Sequence, residues 1–415
     1  MHNTTTKNQK KYLHKSPTYG KMNKRNTVEV KMERKIWIKI TSMALVLVMI
    51  LSFAGCDMDF GGSGNSGGSL NDLFDDDNKS QNSGGSADKL DSDVLVEGDM
   101  TIHFLELGNK YTGDCTYIKA GENDILIDAG SKADSIATID RYLSKYVTDG
   151  TLEYVIVTHA HQDHYAGFAT TAKKDSLFDL YECEVIIDFD QITKGKEDKT
   201  QYKNYVRERD AEIAAGAKHY TASEFIKEEG GVANLGGNMT MTVLDSYYYY
   251  NRDSGENNHS VCTLFSDGKN NYLFTGDLEL EGEEKLVEMN DLPRVKVYKA
   301  GHHGSKTSSN EVLLEVIQPE IVCVCCCCGS PEYTDNDENQ FPTQKFVNRV
   351  APNTDRVYVT TMCIDYERNK FESMNGNIII KSEDGEVTVI CSASTKVLKE
   401  FKWFKEHRTC PKQWK

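Results

Sequence analysis

Short runs of apolar, β-branched and aromatic residues recur between about residue 100 and residue 390. They alternate with stretches whose apolar positions fall three or four apart. The runs at 101–107, 125–127, 154–157, 184–187, 239–244, 271–274, 295–298, 321–324 and 356–359 predict strands. Segments 133–146 and 311–317 carry the helical spacing. Strands alternating with helices place the domain in the α/β class. Several strands end in loops rich in polar residues and glycine. The run at 125–127 meets Asp128-Ala129-Gly130, that at 271–274 meets Thr275-Gly276-Asp277, and that at 295–298 leads into Ala300-Gly301-His302-His303-Gly304. Polar groups at the ends of several strands converge on one edge of a sheet.

The chemistry concentrates at those ends. Directly after the run 154–157 stands Thr158-His159-Ala160-His161-Gln162-Asp163-His164, three imidazoles and a carboxylate within six residues. Imidazole and carboxylate suit Zn²⁺, Mn²⁺ or Fe, and a loop this dense in ligands can reach two ions. His259, Asp277 and the pair His302-His303 follow in order, so six of the eleven histidines fall in these patches. A polar loop whose histidines only hydrogen-bond is the plainer reading of the first cluster alone; the later patches weigh against it.

Taken together, Phe104 with Leu105-Glu106-Leu107-Gly108, Gly113-Asp114-Cys115, Ile127-Asp128-Ala129-Gly130, the T-H-A-H-Q-D-H block, Phe274 with Thr275-Gly276-Asp277, and G-H-H-G-S-K from Gly301 to Lys306 resemble the metallo-β-lactamase superfamily. Within it they resemble the hydrolase domain of bacterial DNA-uptake competence proteins. The resemblance implies an αββα sandwich, two mixed β-sheets packed face to face with helices outside. It implies two divalent metal ions, Zn²⁺ in the first place with Mn²⁺ or Fe as alternatives. By residue-wise resemblance His159 and His161 bind the first ion, joined by His259 if it reaches. Asp163, His164 and one of His302 or His303 bind the second, and Asp277 bridges. Two such ions lower the pKa of a bound water to about 7, which makes hydroxide available at neutral pH. Asp128 is expected to orient the histidine loop through hydrogen bonds, or simply to cap a turn. Ser305 and Lys306 could present a hydroxyl and an ammonium to a phosphate oxygen, although the same run also reads as the cap of a helix starting near Asn310. Asp163, Asp277 and Lys306 are thus the candidates closest to the reaction. The chain departs from the competence pattern in two places. Asn109-Lys110-Tyr111-Thr112 lengthens a loop that usually reads G-Q-G-D, and His259 sits in an N-x-S turn, where it is either a ligand or an ordinary exposed residue.

The N-terminal part sets an expected location. Residues 1–40 hold eleven Lys or Arg against Glu29 and Glu33, and an apolar stretch over 40–54 leads to Phe53-Ala54-Gly55-Cys56. Residues 1–55 therefore read as a basic region and lipoprotein signal with lipidation at Cys56; a start at Met32 would leave a signal of ordinary length. An uncleaved membrane helix is the rival, for which the run is short. Residues 56–98, rich in Gly, Ser, Asn and Asp, read as a flexible tether reaching about 35 Å. Residues 99–395 form the hydrolase-like domain, and 396–415 a basic C-terminal tail, exposed or forming a short helix. The expected location is the outer face of a bacterial membrane, held by a lipid anchor.

Charge narrows the partner. The chain carries −16, and setting aside the +9 of residues 1–40 leaves −25 for residues 41–415. A domain so acidic binds long polyanions poorly, because nucleic-acid affinity comes from Lys and Arg releasing phosphate counterions. The strip Lys194, Lys196, Lys199 and Lys203 is diluted by Glu197 and Asp198 and reads as solvated surface. The expected substrate is a small or compact phosphoester, with nucleic acid disfavoured. A non-catalytic surface lipoprotein holding DNA or a wall ligand, and a lactone or amide hydrolase, are the rival functions. Asp rather than Cys at position 277 disfavours β-lactam hydrolysis. The run Cys323, Cys325, Cys326, Cys327 and Cys328 reads as a buried strand of small apolar residues, and Tyr247-Tyr248-Tyr249-Tyr250 as a packed edge strand.

Overall fold

A computed structural model describes residues 87–90, 94–169 and 175–415. The chain first lays down β1 (Asp88–Lys89), β2 (Met100–Phe104), β3 (Thr116–Ala120), β4 (Asn123–Ile127), β5 (Thr151–Ile156), β6 (Glu182–Asp188) and β7 (Lys218–Thr221). It then crosses to build β8 (Val232–Gly236), β9 (Met239–Val243), β10 (Thr263–Ser266), β11 (Asn271–Phe274), β12 (Val297–Lys299), β13 (Ile321–Cys328), β14 (Val357–Asp365) and β15 (Lys370–Ser373). Finally β16 (Ile378–Glu383) and β17 (Glu386–Cys391) return to the first sheet. The strand orders are β1-β17-β16-β2-β3-β4-β5-β6-β7 and β15-β14-β13-β12-β11-β10-β9-β8.

Both sheets are mixed. β4 to β7 run parallel in the first and β11 to β14 in the second, while hairpins such as β2-β3 and β10-β11 supply antiparallel pairs. Parallel neighbours need crossovers, and helices provide them. Among these are α1 (Ile136–Leu143), α2 (Thr200–Ala215), α4 (Leu280–Met289), α5 (Glu311–Ile317) and α6 (Gln344–Val350), whereas α3 (Ala222–Glu229) links β7 of the first sheet to β8 of the second. This is the expected sandwich of two sheets with helices outside.

The two apolar cores follow from strand alternation. On β13 every residue is buried. Cys323 and Cys325 face the core between the sheets with Ile118, Phe265 and Tyr358, whereas Val322, Val324, Cys326 and Cys328 face the helices with Leu313, Ile317 and Phe346. The cysteine run is therefore a central strand whose small side chains fit between two packed layers, and all its thiols are free.

Three segments differ from the sequence reading. Tyr247–Tyr250 is a helical turn, not an edge strand, because the Ser246 hydroxyl caps it by accepting from the Tyr248 N–H at 3.4 Å. β1 pairs with β17, so ordered structure begins inside the stretch read as tether. The C-terminal segment contains a short helix, α7 (Lys402–His407), but it is not an exposed tail: Trp403, Phe404 and Trp414 are buried against the second core. Cys56 and the signal region lie outside the described residues. Among the described residues no helix is long and apolar enough to cross a membrane.

Candidate metal centre

The carboxyl ends of β4, β5, β11 and β12 open onto one edge of the sandwich, and each carries a candidate residue. In open α/β sheets this edge is where ligands bind. After β5 the histidine loop is pinned from several sides. The Val261 N–H bonds to the Thr158 carbonyl (2.8 Å), the Ala129 N–H to the His164 carbonyl (2.7 Å) and the Asp114 N–H to the Asp163 carbonyl (3.1 Å). Gly276 lets β11 turn tightly into Asp277; its φ is +52°, and a Cβ there would meet the Ser260 hydroxyl at 2.7 Å. After β12, His302 and His303 both adopt left-handed backbone, φ 45° and 55°. Two consecutive non-glycine residues in that region hold strain of the kind that clusters at functional sites.

Asp277 sits at the focus. Its Oδ2 lies 3.2 Å from His164 Nε2, 3.4 Å from His303 Nε2, 4.0 Å from His159 Nε2 and 4.0 Å from His302 Nε2. His159, His164 and Asp277 form one group whose ligand atoms lie within 4.8 Å of one another; Asp163, His164 and His303 form another. His303 Nε2 is 3.5 Å from Asp163 Oδ2. His161 stands beside the first group, with its Nδ1 2.9 Å from His159 Nε2. The structure thus places His164 in both groups and brings His303 closer than His302. His302 turns its Nδ1 to Glu279 (3.3 Å) and Thr307 (3.1 Å).

The other candidates are placed less centrally. His259 is not an exposed residue: it is buried in a helical turn, 4.0 Å from Glu256, with neither ring nitrogen hydrogen-bonded. Lys306 directs its Nζ to Asn339 at 2.8 Å, and Ser305 pairs with Thr307 at 3.0 Å. The run does precede a helix, α5 from Glu311, but Asn310 is its N-cap residue and makes no side-chain capping bond; the Ser309 and Asn310 N–H groups donate to Glu283 instead. Asp128 is the orienting acid the sequence suggested. It accepts from the Thr158 N–H (2.8 Å), the Thr158 hydroxyl (2.8 Å) and His164 Nδ1 (2.7 Å), which leaves His164 Nε2 facing Asp277. His303 is held in the same sense, with Nδ1 2.9 Å from the Cys325 carbonyl and 3.2 Å from Asp114 Oδ1.

Sequence reasoning gave no role in the site to five neighbours. Asp114 and Lys299 form a fully buried ion pair beneath Asp277, whose Oδ1 is 3.8 Å from the same ammonium. A lysine inside the apolar strand β12 was the available signal, since a buried charge persists only when paired. Glu256 accepts from the Ala160 N–H, and Lys196, read as solvated surface, reaches the Ala160 carbonyl at 3.4 Å and Glu256 at 3.8 Å. Tyr333, its ring exposed, donates its hydroxyl to Asp163 at 2.7 Å. No local pattern marked these last three.

The donor set fits divalent cations. His164 Nε2, His303 Nε2 and Asp277 Oδ1 are buried without a hydrogen-bond partner, although each belongs to a converging group. The electrostatics point the same way. Burial lowers the pKa values of His164 and His303, yet the carboxylates around them, Asp277 foremost, lift both well above the ordinary histidine value. Burial and the neighbouring imidazoles of His164 and His161 hold His159 well below it. Burial raises Asp277, but His303 and His164 bring it well below the usual carboxylate range. The acids of the cluster thus favour positive charge on His164 and His303, a demand that divalent ions can also meet.

Comparison with known proteins agrees. Residues 108–174 match the model described as Metallo-beta-lactamase superfamily. The chain is 28% identical over 218 residues to "Recombination protein 2" of Haemophilus influenzae, covering 51% of this chain and 23% of that protein. It is 29% identical over 171 residues to "ComE operon protein 3" of Bacillus subtilis, covering 41% and 19% respectively. A third similarity is to "Exodeoxyribonuclease YycJ" of Bacillus anthracis, 30% identical over 78 residues, 19% of this chain and 29% of that one. The matched part of this chain thus spans less than a quarter of the length of the first two relatives.

Proposed function

We propose that this chain is a metal-dependent hydrolase of the metallo-β-lactamase type, acting on a phosphodiester or related ester in a compact substrate. The observation that carries this reading is the ring of four imidazole nitrogens within 4.0 Å of one Asp277 oxygen. In the proposed assignment His159 and His161 would hold one divalent ion. Asp163, His164 and His303 would hold the other, with the Asp277 carboxylate within reach of both sets. Such ions, when bound, acidify water and polarise a phosphoryl oxygen.

The chain's own residues supply the rest. Asp128 and the Cys325 carbonyl fix the imidazoles so that Nε2 faces inward. Lys196, rather than Lys306, places its ammonium against the histidine loop, where it draws an anionic group to the mouth of the site. The Tyr333 hydroxyl marks the opposite rim through Asp163. The acidity of residues 41–415 supports a compact substrate over a long polyanion. The exodeoxyribonuclease relative favours a second reading, a DNA end as substrate.

Turnover of bis-p-nitrophenyl phosphate by the full chain, abolished by chelation and reduced at least a hundredfold in His164→Ala and Asp277→Ala, is the expected result. Undiminished turnover in both variants would overturn the reading. A lactone, nitrocefin and a single-stranded oligonucleotide in the same panel separate the rival substrates, and tight binding of any of them without turnover would favour the non-catalytic role. We propose that the protein is held on the outer face of the membrane by lipid at Cys56; loss of palmitate labelling in Cys56→Ser tests this.

A further inference from the structure

The loop between β13 and α6 brings an aromatic wall to the mouth of the centre, and the proposed reaction leaves its rings without a part. His302 and His303 lie 5.8 and 5.9 Å, ring to ring, from Phe341, and Phe341 lies 5.7 Å from Tyr333. The wall thus runs from the imidazoles out to solvent. Single exposed aromatics are common on protein surfaces and need no explanation. Tyr333 differs in how it is held. It is 55% exposed, yet its hydroxyl is spent on Asp163 Oδ2 at 2.7 Å. A tyrosine ordinarily buries its ring and wets its hydroxyl; here the hydroxyl is tied to the site and the ring stays open to solvent. The loop itself is fixed. Glu332 accepts from the Thr112 N–H at 2.8 Å and pairs with Lys132 at 3.6 Å, and the Gly329 N–H bonds to the Phe341 carbonyl at 2.8 Å. Thr112 belongs to the lengthened loop that departs from the competence pattern, so that loop buttresses the segment carrying Tyr333.

We infer that Tyr333, backed by Phe341, is a stacking subsite for a flat aromatic group on one arm of the substrate, which makes a nucleoside phosphodiester the favoured substrate class. The inference rests on the hydrolase reading of the centre and deepens it by naming what the ester carries. Three features converge. A ring pinned at its tip has little further freedom to lose on binding, so stacking is gained at low entropic cost. Asp163 and Glu332 flank Tyr333, and Lys132 is already paired with Glu332, so this rim suits an uncharged ring and not a phosphate. The wall begins at His303, a proposed metal ligand, so a phosphoryl group at the centre and a base over Tyr333 can belong to one molecule. Two rings give room for a single base, in keeping with a compact substrate.

Turnover of p-nitrophenyl thymidine 5′-phosphate is compared with that of methyl p-nitrophenyl phosphate, two diesters with the same leaving group, one bearing a base and one not. The full, metal-loaded chain is expected to prefer the thymidine ester in kcat/KM. Tyr333→Ala and Tyr333→Leu should each lower the ratio of the two kcat/KM values at least about fivefold, the lower end of base stacking on an aromatic side chain. Tyr333→Phe, which keeps the ring and loses the bond to Asp163, should stay within about twofold of the native ratio. A residue that only supports Asp163 would slow both esters alike and leave the ratio unchanged in every variant. That result, or a native chain without the preference, would overturn the inference while leaving the proposed hydrolase untouched. If neither ester is hydrolysed, the proposed function fails on its own, and calorimetric binding of thymidine 5′-monophosphate decides the subsite. Affinity at least about fivefold weaker in Tyr333→Ala upholds it; equal affinity, or no binding by the native chain, overturns it.

Discussion

Replacing Asp128 by Asn tests how the histidine loop is made competent. The substitution preserves volume, and Asn accepts the left-handed backbone of this position, φ 58°, as readily as Asp. Asp128 is 1% exposed and accepts from the Thr158 N–H, the Thr158 hydroxyl and His164 Nδ1. An amide can keep the first bond through its oxygen. Its NH₂ group then faces the hydroxyl, which can rotate to accept, and His164 Nδ1, which can accept only by giving up its proton. The proton moves to Nε2, the nitrogen 3.2 Å from Asp277, and blocks its lone pair. Loss of one charge-assisted hydrogen bond in a buried site costs about 1.5–3 kcal/mol of stability in the metal-free chain. Removing such an outer partner of a metal-binding histidine weakens metal affinity about 10–100-fold, or about 1.4–2.7 kcal/mol. Competition against a fluorescent chelator gives the affinity, and urea unfolding of the stripped protein gives the stability. Affinity within threefold of native, with unchanged unfolding, would refute the orienting role.

Two further outcomes follow from the packing and from titration. Asp267 lies away from the centre and accepts from Tyr272, Ser382, Asn270 and Lys269. Burial raises its pKa, but these hydrogen bonds outweigh burial and bring it to about 2. Because the folded value lies below the unfolded one, the stabilisation is present above about pH 4 and lost as pH falls toward 2. Asp267→Asn should cost roughly 1 kcal/mol at pH 7, discounted for partial exposure, and almost nothing near pH 2; a cost that does not change with pH would contradict this. Trp414→Ala should destabilise by about 3–5 kcal/mol, since the indole is 3% exposed, packs near Phe404 and donates to the Thr354 carbonyl at 2.8 Å. Thermal unfolding of this variant at the native midpoint would mean that the C-terminal segment adds nothing to the core.

The centre was legible where chemistry and periodicity coincide locally. Three histidines and an acid after an apolar run, Asp277 after another and His302-His303 after a third all mark strand ends, and strand ends meet at a sheet edge. Asp128 was legible for the same reason. Partners that depend on tertiary packing were not. Lys299 ends a strand of the second sheet and Asp114 lies in the loop leading into β3 of the first, and only the closing of the sandwich brings them together. The choice between His302 and His303 turns on left-handed backbone that no residue pattern announces. Tyr247–Tyr250 misled because a tyrosine run favours strands, whereas a single serine cap and burial of Tyr248 and Tyr249 decide for a helical turn. The C-terminal residues were misjudged because basic composition outweighed Trp403 and Trp414, whose burial is set by the second sheet's outer face.

The most direct measurement is the metal content of the full chain, purified without added metal and analysed by mass spectrometry of the elements, for the native protein and for Asp277→Ala. The account expects about two divalent ions per native chain and no more than one in the variant. A native chain with no bound metal, whether as purified or after loading with Zn²⁺, Mn²⁺ or Fe²⁺, would contradict it.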